Sequence, residues 1–144
     1  RRAMQAREMF ILDLKKINKK ATDQAKVLAL KTQNATDVAP FRYNLFEYHD
    51  QSLEQIQQAN RTWQPYPEFK PRQLPDQVSF SIQSLDGENY SKAKNEDLLG
   101  GKSPQLIWFG NGEAKPVRIQ FYYEQQPIGH ELELDHLGKI NEQD

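Results

Sequence analysis

Apolar residues recur at helical spacing over the first thirty-odd positions of the chain. Counted from Phe10 at about 100° per residue, Ala3, Ala6, Leu14, Ile17, Ala21, Ala25 and Leu28 fall within about 60° of one line. Lys15, Lys16, Lys19, Lys20, Asp23 and Lys26 fill the opposite side, and no Gly or Pro interrupts the run. The pattern predicts one amphipathic helix over residues 1–34, with Asn34 as its stop. Its start has no Ser, Thr, Asp or Asn ahead of the stripe, and it places Arg1 and Arg2 where the helix dipole disfavours positive charge. We read it as a helix entered in mid-turn, with its upstream part absent. Thirty residues make a rod of about 45 Å, against about 35–40 Å for a compact domain of this size, so one end is expected to project. Met4, Met9 and Leu12 point away from the stripe near that end. With Ile11 they are the candidate contacts to a partner.

Past residue 34 the pattern changes from helical to alternating, and residues 35–144 read as a β-rich unit that forms one structural domain with the helix. Phe41, Tyr43 and Leu45 share a face at period two, which predicts a strand over residues 41–48. Residues 50–60 read as a loop or a single helical turn. Residues 61–66 read as a short edge strand, because Pro65 and Pro67 would break ladder bonds in a central one, and residues 71–76 as a turn-rich lead-in. Val78, Phe80 and Ile82 alternate with Ser79, Ser81 and Gln83, which predicts a strand with one wet face. Residues 85–104 read as a long surface loop, with Asp86, Gly87, Gly100 and Gly101 as its candidate mobile points. The runs 105–109 and 114–123 flank Gly110-Asn111-Gly112 and predict a hairpin. Pro127-Ile128-Gly129 is expected to turn the chain into a strand over residues 130–135. The predicted class is α+β, a long N-terminal helix packed on antiparallel sheet.

Charge excludes a simple polyanion binder. The 144 residues carry 19 Lys and Arg against 20 Asp and Glu, so no broad attraction to nucleic acid or anionic membrane is expected. With mean hydropathy at −0.88 and no apolar run near twenty residues, the sequence shown contains no membrane-spanning segment. The absence of Cys excludes disulfides and thiolate chemistry.

Candidate chemistry is sparse. His130 and His136 are separated by about 20 Å of strand and cannot share one ion unless the strand breaks. Glu131, Glu133 and Asp135 read as the wet face of an edge strand. There is no Gly-x-Ser-x-Gly elbow and no His-Glu-x-x-His helix. Gly100-Gly101-Lys102-Ser103 is followed by Pro104 and a strand rather than by the helix a phosphate loop needs. Trp63 and Trp108 are the residues that a sugar-binding platform would use. No catalytic residue, metal or cofactor is predicted.

Three stretches resemble the GspH/FimT family. Residues 104–119 are similar to its hairpin, in which Pro, an apolar run ending in Phe, a Gly-Glu turn and a further Pro lead into an alternating strand. Residues 130–140 resemble its final strand pair. Leu74-Pro75-Asp76-Gln77-Val78 is similar to its Leu-Pro-Asp-Gly-Val entry to the middle strand, with Gln77 where the family usually has Gly. The resemblance implies a pilin-like fold and a minor pseudopilin of the type II secretion system. Such a subunit is non-enzymatic, has a helix whose first half is held in the inner membrane, and carries a β domain facing the periplasm. Implied partners are the other minor pseudopilins and the major pseudopilin, with secreted cargo and the outer-membrane secretin as further candidates. No nucleic acid is expected. The readings weighed beside it are a FimT-like minor pilin of a type IV pilus and a periplasmic carbohydrate-binding or enzymatic β domain.

Overall fold

A computed structural model of the chain describes residues 1–49, 63–85 and 104–142. Helix α1 spans Arg2–Gln24. It buries Ala3, Arg7, Phe10, Leu14, Ile17 and Ala21, steps of four and three residues that keep one side on the core. The helix ends ten residues before the predicted stop. Ala25 takes a left-handed conformation at φ 53°, with Ala25 N–H donating to the Thr22 carbonyl and Lys26 N–H to that of Ala21, a Schellman closure. The helix is therefore about 35 Å long and is covered from Ala3 to Ala21, so the expected projecting end is not found.

The segment after the cap is strand, not helix. β1 (Leu28–Gln33) pairs on one side with β2 (Arg42–Tyr48) and on the other with β6 (Leu106–Trp108). Leu28, Ala29 and Leu30 are all buried although neighbouring strand residues point to opposite faces, so both faces of β1 are covered. Two ladders outweigh the helix-forming tendency of Leu-Ala-Leu-Lys. β3 (Trp63–Pro65) lies at the sheet edge beside β2, as its prolines require. The lead-in to the middle strand contains β4 (Arg72–Gln73), which also pairs with β2.

The second sheet runs β5 (Val78–Ser84), β7 (Val117–Tyr123), β8 (Gln126–Leu134) and β9 (Ile140–Glu142), all antiparallel. Two sequence expectations are corrected here. The runs around Gly110-Asn111-Gly112 form only the tip of a hairpin, with a single bridge from Trp108 to Ala114; β6 then belongs to the first sheet and β7 to the second. A Cβ at Gly110 (φ 79°) would sit 2.8 Å from the Lys26 carbonyl oxygen, so the tip packs against the cap of α1. The turn into β8 is made by Glu124 and Gln125, both at positive φ, and Pro127–Gly129 are already strand.

Both sheets and the helix share one core. Phe10 lies at its centre, with ring centroids 5.3 Å from Tyr43 of the first sheet and 4.5 and 5.4 Å from Phe80 and Phe121 of the second. Edge and tilted ring contacts of this kind add to the burial energy of these four large side chains.

Candidate assembly surface

Two polar side chains that sequence reasoning missed fasten α1 to its sheets. Asp13 is 2% exposed. Its Oδ2 accepts from the Tyr43 hydroxyl at 2.7 Å and from Arg72 Nε at 2.9 Å, and its Oδ1 accepts from Arg72 Nη2 at 3.0 Å. The two-pronged guanidinium contact holds β4 to the helix while Tyr43 holds β2. Burial, with the Asp13 carboxylate beside it, pushes the Tyr43 hydroxyl well above the ordinary phenol range. On the other flank Arg7, 3% exposed, donates through Nη2 to the His130 carbonyl at 2.9 Å and pairs through Nη1 with Glu142 at 3.2 Å. Its Nε is buried with no hydrogen-bond partner.

Arg7 meets β8 at an irregularity. The β7–β8 register shifts between Ile119 and Phe121. The Gln120 side chain donates to the Ile128 and Gly129 carbonyls from within the sheet while Arg7 takes that of His130. Gly129 has φ 67°, and a Cβ there would lie 2.9 Å from Arg7 Nε. Glycine is thus what lets the arginine stem pass. The sequence did carry a signal for both fasteners: Arg7 and Asp13 lie about 60° either side of Phe10 on the helical wheel, within the arc used for the apolar stripe.

The candidate contact residues divide. Met4, Met9 and Leu12 are 40%, 41% and 50% exposed, whereas Ile11 is 4% exposed and belongs to the core. Ile11 is therefore withdrawn as a partner contact. A helix seated against two sheets buries a wider arc than one stripe predicts. Asp86, Gly87, Gly100 and Gly101 lie outside the described residues.

An open groove of about 390 Å³ runs beside Met9. Arg2, Ala6 and Met9 of α1 form one wall, and Arg72, Leu74 and Pro75 the other. The groove could not be read from the sequence, because it joins residues 2–9 to residues 72–75 through a fold contact.

The other candidate chemistry does not assemble. Trp108 is 1% exposed and lies in the core, so it cannot serve a sugar platform, and Trp63 meets Tyr48 edge-on with centroids 5.4 Å apart. Glu131 and Glu133 face Arg118 at 3.5 and 4.0 Å. No group of three His, Asp or Glu side chains among the described residues is placed to hold a metal.

An N-terminal amphipathic helix packed across two antiparallel sheets is a pilin-like arrangement. Two solved structures of the minor pseudopilin EpsH from the type II secretion system of Vibrio cholerae share it, aligned over 99% of this chain and 95% of theirs at 15% identity, with TM-scores of 0.65 and 0.66. The chain has their fold. No protein-family model matches the sequence, and neither does any curated protein.

Proposed function

We propose that this chain is the periplasmic part of a minor pseudopilin, a non-enzymatic subunit at or near the tip of a type II secretion pseudopilus. The observation that carries the reading is the end-to-end match to the EpsH fold, 99% of one chain against 95% of the other. The exposed apolar residues Met4, Met9 and Leu12 support it, because they lie on the helix, the element by which such subunits pack together. In this reading an apolar helical segment holds the full-length protein in the inner membrane until equivalent helix surface of a neighbour covers it. The neighbours are the other minor pseudopilins and the major pseudopilin. The helix seen here is Arg2–Gln24, and the β-rich unit that we take to be joined to it in one domain begins at β1, with Leu28 rather than residue 35.

Charge at the centre of such a contact disfavours assembly, since a desolvated unpaired carboxylate is costly. Met9→Glu with Leu12→Glu in the full-length protein is expected to abolish co-purification of the other pseudopilins and to stop export of the secreted proteins. The isolated domain is expected to keep its melting temperature within a few degrees. Unchanged secretion and unchanged co-purification would overturn the proposal.

A further inference from the structure

The near-neutral total charge hides a division. Residues 1–26 carry eight Arg and Lys against three Asp and Glu, while the rest carry eleven against seventeen. One of those three acids, Asp13, is buried and committed to Arg72 and Tyr43. Arg7 is buried as well, and Lys19, Lys20 and Lys26 are paired with Asp23, Glu68 and Glu47. This leaves Arg1, Arg2, Lys15 and Lys16 as exposed cations with no carboxylate partner among the described residues, on a chain that is otherwise acidic.

The groove beside Met9 is lined by one of these cations, Arg2. Its lining includes two arginines and no carboxylate. Arg2 is exposed and has no ion pair among the described residues. Arg72 spends Nε and Nη2 on Asp13, which meets its charge, yet keeps 38% of its side chain exposed, so it offers the groove a donor of fixed orientation while Arg2 supplies the free charge. Ala6, Met9, Leu74 and Pro75 supply apolar walls, and Met9 adapts its shape at low cost. The volume lies within the range of about 300–1,000 Å³ typical of clefts that take small ligands or a few side chains.

The geometry points to a docking site for a short acidic segment of another protein, its apolar side chain between Ala6 and Leu74 and its carboxylates on Arg2 and Arg72. This inference rests on the assembly reading above and adds the chemistry of the partner. Steering by the basic helix speeds the encounter and rejects basic segments, while the apolar walls reject segments that carry charge alone.

The test is an amide-resolved NMR titration of the chain with three capped tetrapeptides: Glu-Leu-Glu-Leu, Lys-Leu-Lys-Leu and Glu-Ser-Glu-Ser. The first is expected to shift Ala6, Met9 and Leu74 and to lose affinity as salt is raised. Each control is expected to bind at least about tenfold more weakly, the loss of one charge-assisted bond or one buried apolar group. Arg2→Glu, a surface change, is expected to weaken the first peptide by a similar factor with an unchanged amide spectrum elsewhere. Equal binding of the lysine peptide, shifts confined to other surfaces, or indifference to Arg2→Glu would overturn the inference. So would phosphatidylglycerol vesicles that perturb Ala6 and Leu74 where the acidic peptide does not, since the surface would then be a lipid site. The titration reads the groove alone, so it can fail while the secretion experiment succeeds, or succeed while that experiment fails.

Discussion

Helix α1 is tied to its two sheets by opposite means. Toward the first sheet it offers a carboxylate: Asp13 receives three hydrogen bonds, from Tyr43 and from two nitrogens of Arg72. Toward the second it offers a guanidinium: Arg7 reaches the His130 carbonyl and the exposed Glu142 carboxylate, shares Nη1 with the exposed Glu8 of its own helix at 3.4 Å, and leaves Nε buried without a partner. Both residues are almost fully buried, so the difference lies in satisfaction rather than depth. A buried ion whose bonds are all made is costly to disturb; one that is half satisfied is close to replaceable by an apolar side chain. The seam with the first sheet should therefore be strict and the seam with the second tolerant. The strict seam also forms one wall of the groove through Arg72.

The largest effect is expected at Asp13. Asp13→Ala strands the Tyr43 hydroxyl and releases Arg72, for a loss of about 3 kcal/mol, the cost of breaking a buried pair from one side. Urea unfolding of the isolated domain measures it. A loss below about 1 kcal/mol would erase the contrast between the seams.

Tyr43→Phe comes next, at about 2 kcal/mol near neutral pH for a buried hydrogen bond to a charged acceptor. It also has a pH signature. Because burial and Asp13 raise the Tyr43 pKa in the fold, the folded state holds that proton more tightly than the unfolded chain. The stabilisation is complete below the ordinary phenol value of about 10 and is lost as pH rises above it toward the folded value. Unfolding midpoints taken between pH 8 and pH 11.5 (about the usable range for a phenol titration) should fall steeply in the native chain and less so in Tyr43→Phe. Some slope persists in the variant, because burial and Glu68 also push the Tyr66 pKa up.

The tolerant seam is probed by two substitutions that pull apart space and charge. Gly129→Ala forces a left-handed alanine and places its Cβ against Arg7, for a loss of about 1–2 kcal/mol. Arg7→Met removes the half-satisfied charge while keeping much of the stem volume, and stability is expected within about 1 kcal/mol of the native value. Combining Gly129→Ala with Arg7→Ala, which removes the Cδ and Nε atoms that the new Cβ would meet, should cost less than the two losses added. Additive losses would show that the backbone strain at residue 129, and not the arginine, sets the cost.

The same contrast governs what the sequence disclosed. β5 and β7 were legible because each turns one face to the core and one toward water, so Val78 and Phe80 or Val117, Ile119 and Phe121 stand out at period two. β1 and β6 were not, because every residue of Leu106–Trp108 and the first three of β1 are buried, and a run covered on both faces has no period to read. β1 was absorbed into the helix for that reason, and β6 was assigned to a hairpin with β7 that the sheets pull apart. Met4, Met9 and Leu12 were placed correctly on the outside by angle alone, while Ile11 was lost to the core. Arg7 and Asp13 had the right angle and the wrong polarity, so the fasteners were passed over where the wheel had already put them.

The smallest expected effects are gains, and they compare the entrances to the two sheets. The first is entered through Ala25 and the second through Gln77, left-handed residues with φ of 53° and 64° and neither a glycine. At Gln77 the GspH/FimT pattern has Gly, and the backbone seen here is the conformation that glycine takes without penalty. Each non-glycine residue in that region costs about 1–2 kcal/mol, partly offset by the greater freedom that glycine has in the unfolded chain. Ala25→Gly and Gln77→Gly are each expected to stabilise the domain by about 0.5–1 kcal/mol, a rise of a few degrees in Tm for a domain of this size. Ala25 is held by the Schellman bonds of the helix end, whereas Gln77 is anchored across to the next strand end, its carbonyl accepting from Glu124 N–H at 3.0 Å. Calorimetry of the two variants should therefore give the larger gain at Ala25, where the surrounding structure does less to enforce the strained backbone. A gain at Gln77 alone would mean that the helix cap is not under strain and that the contrast between the sheets begins only at the side chains of Arg7 and Asp13.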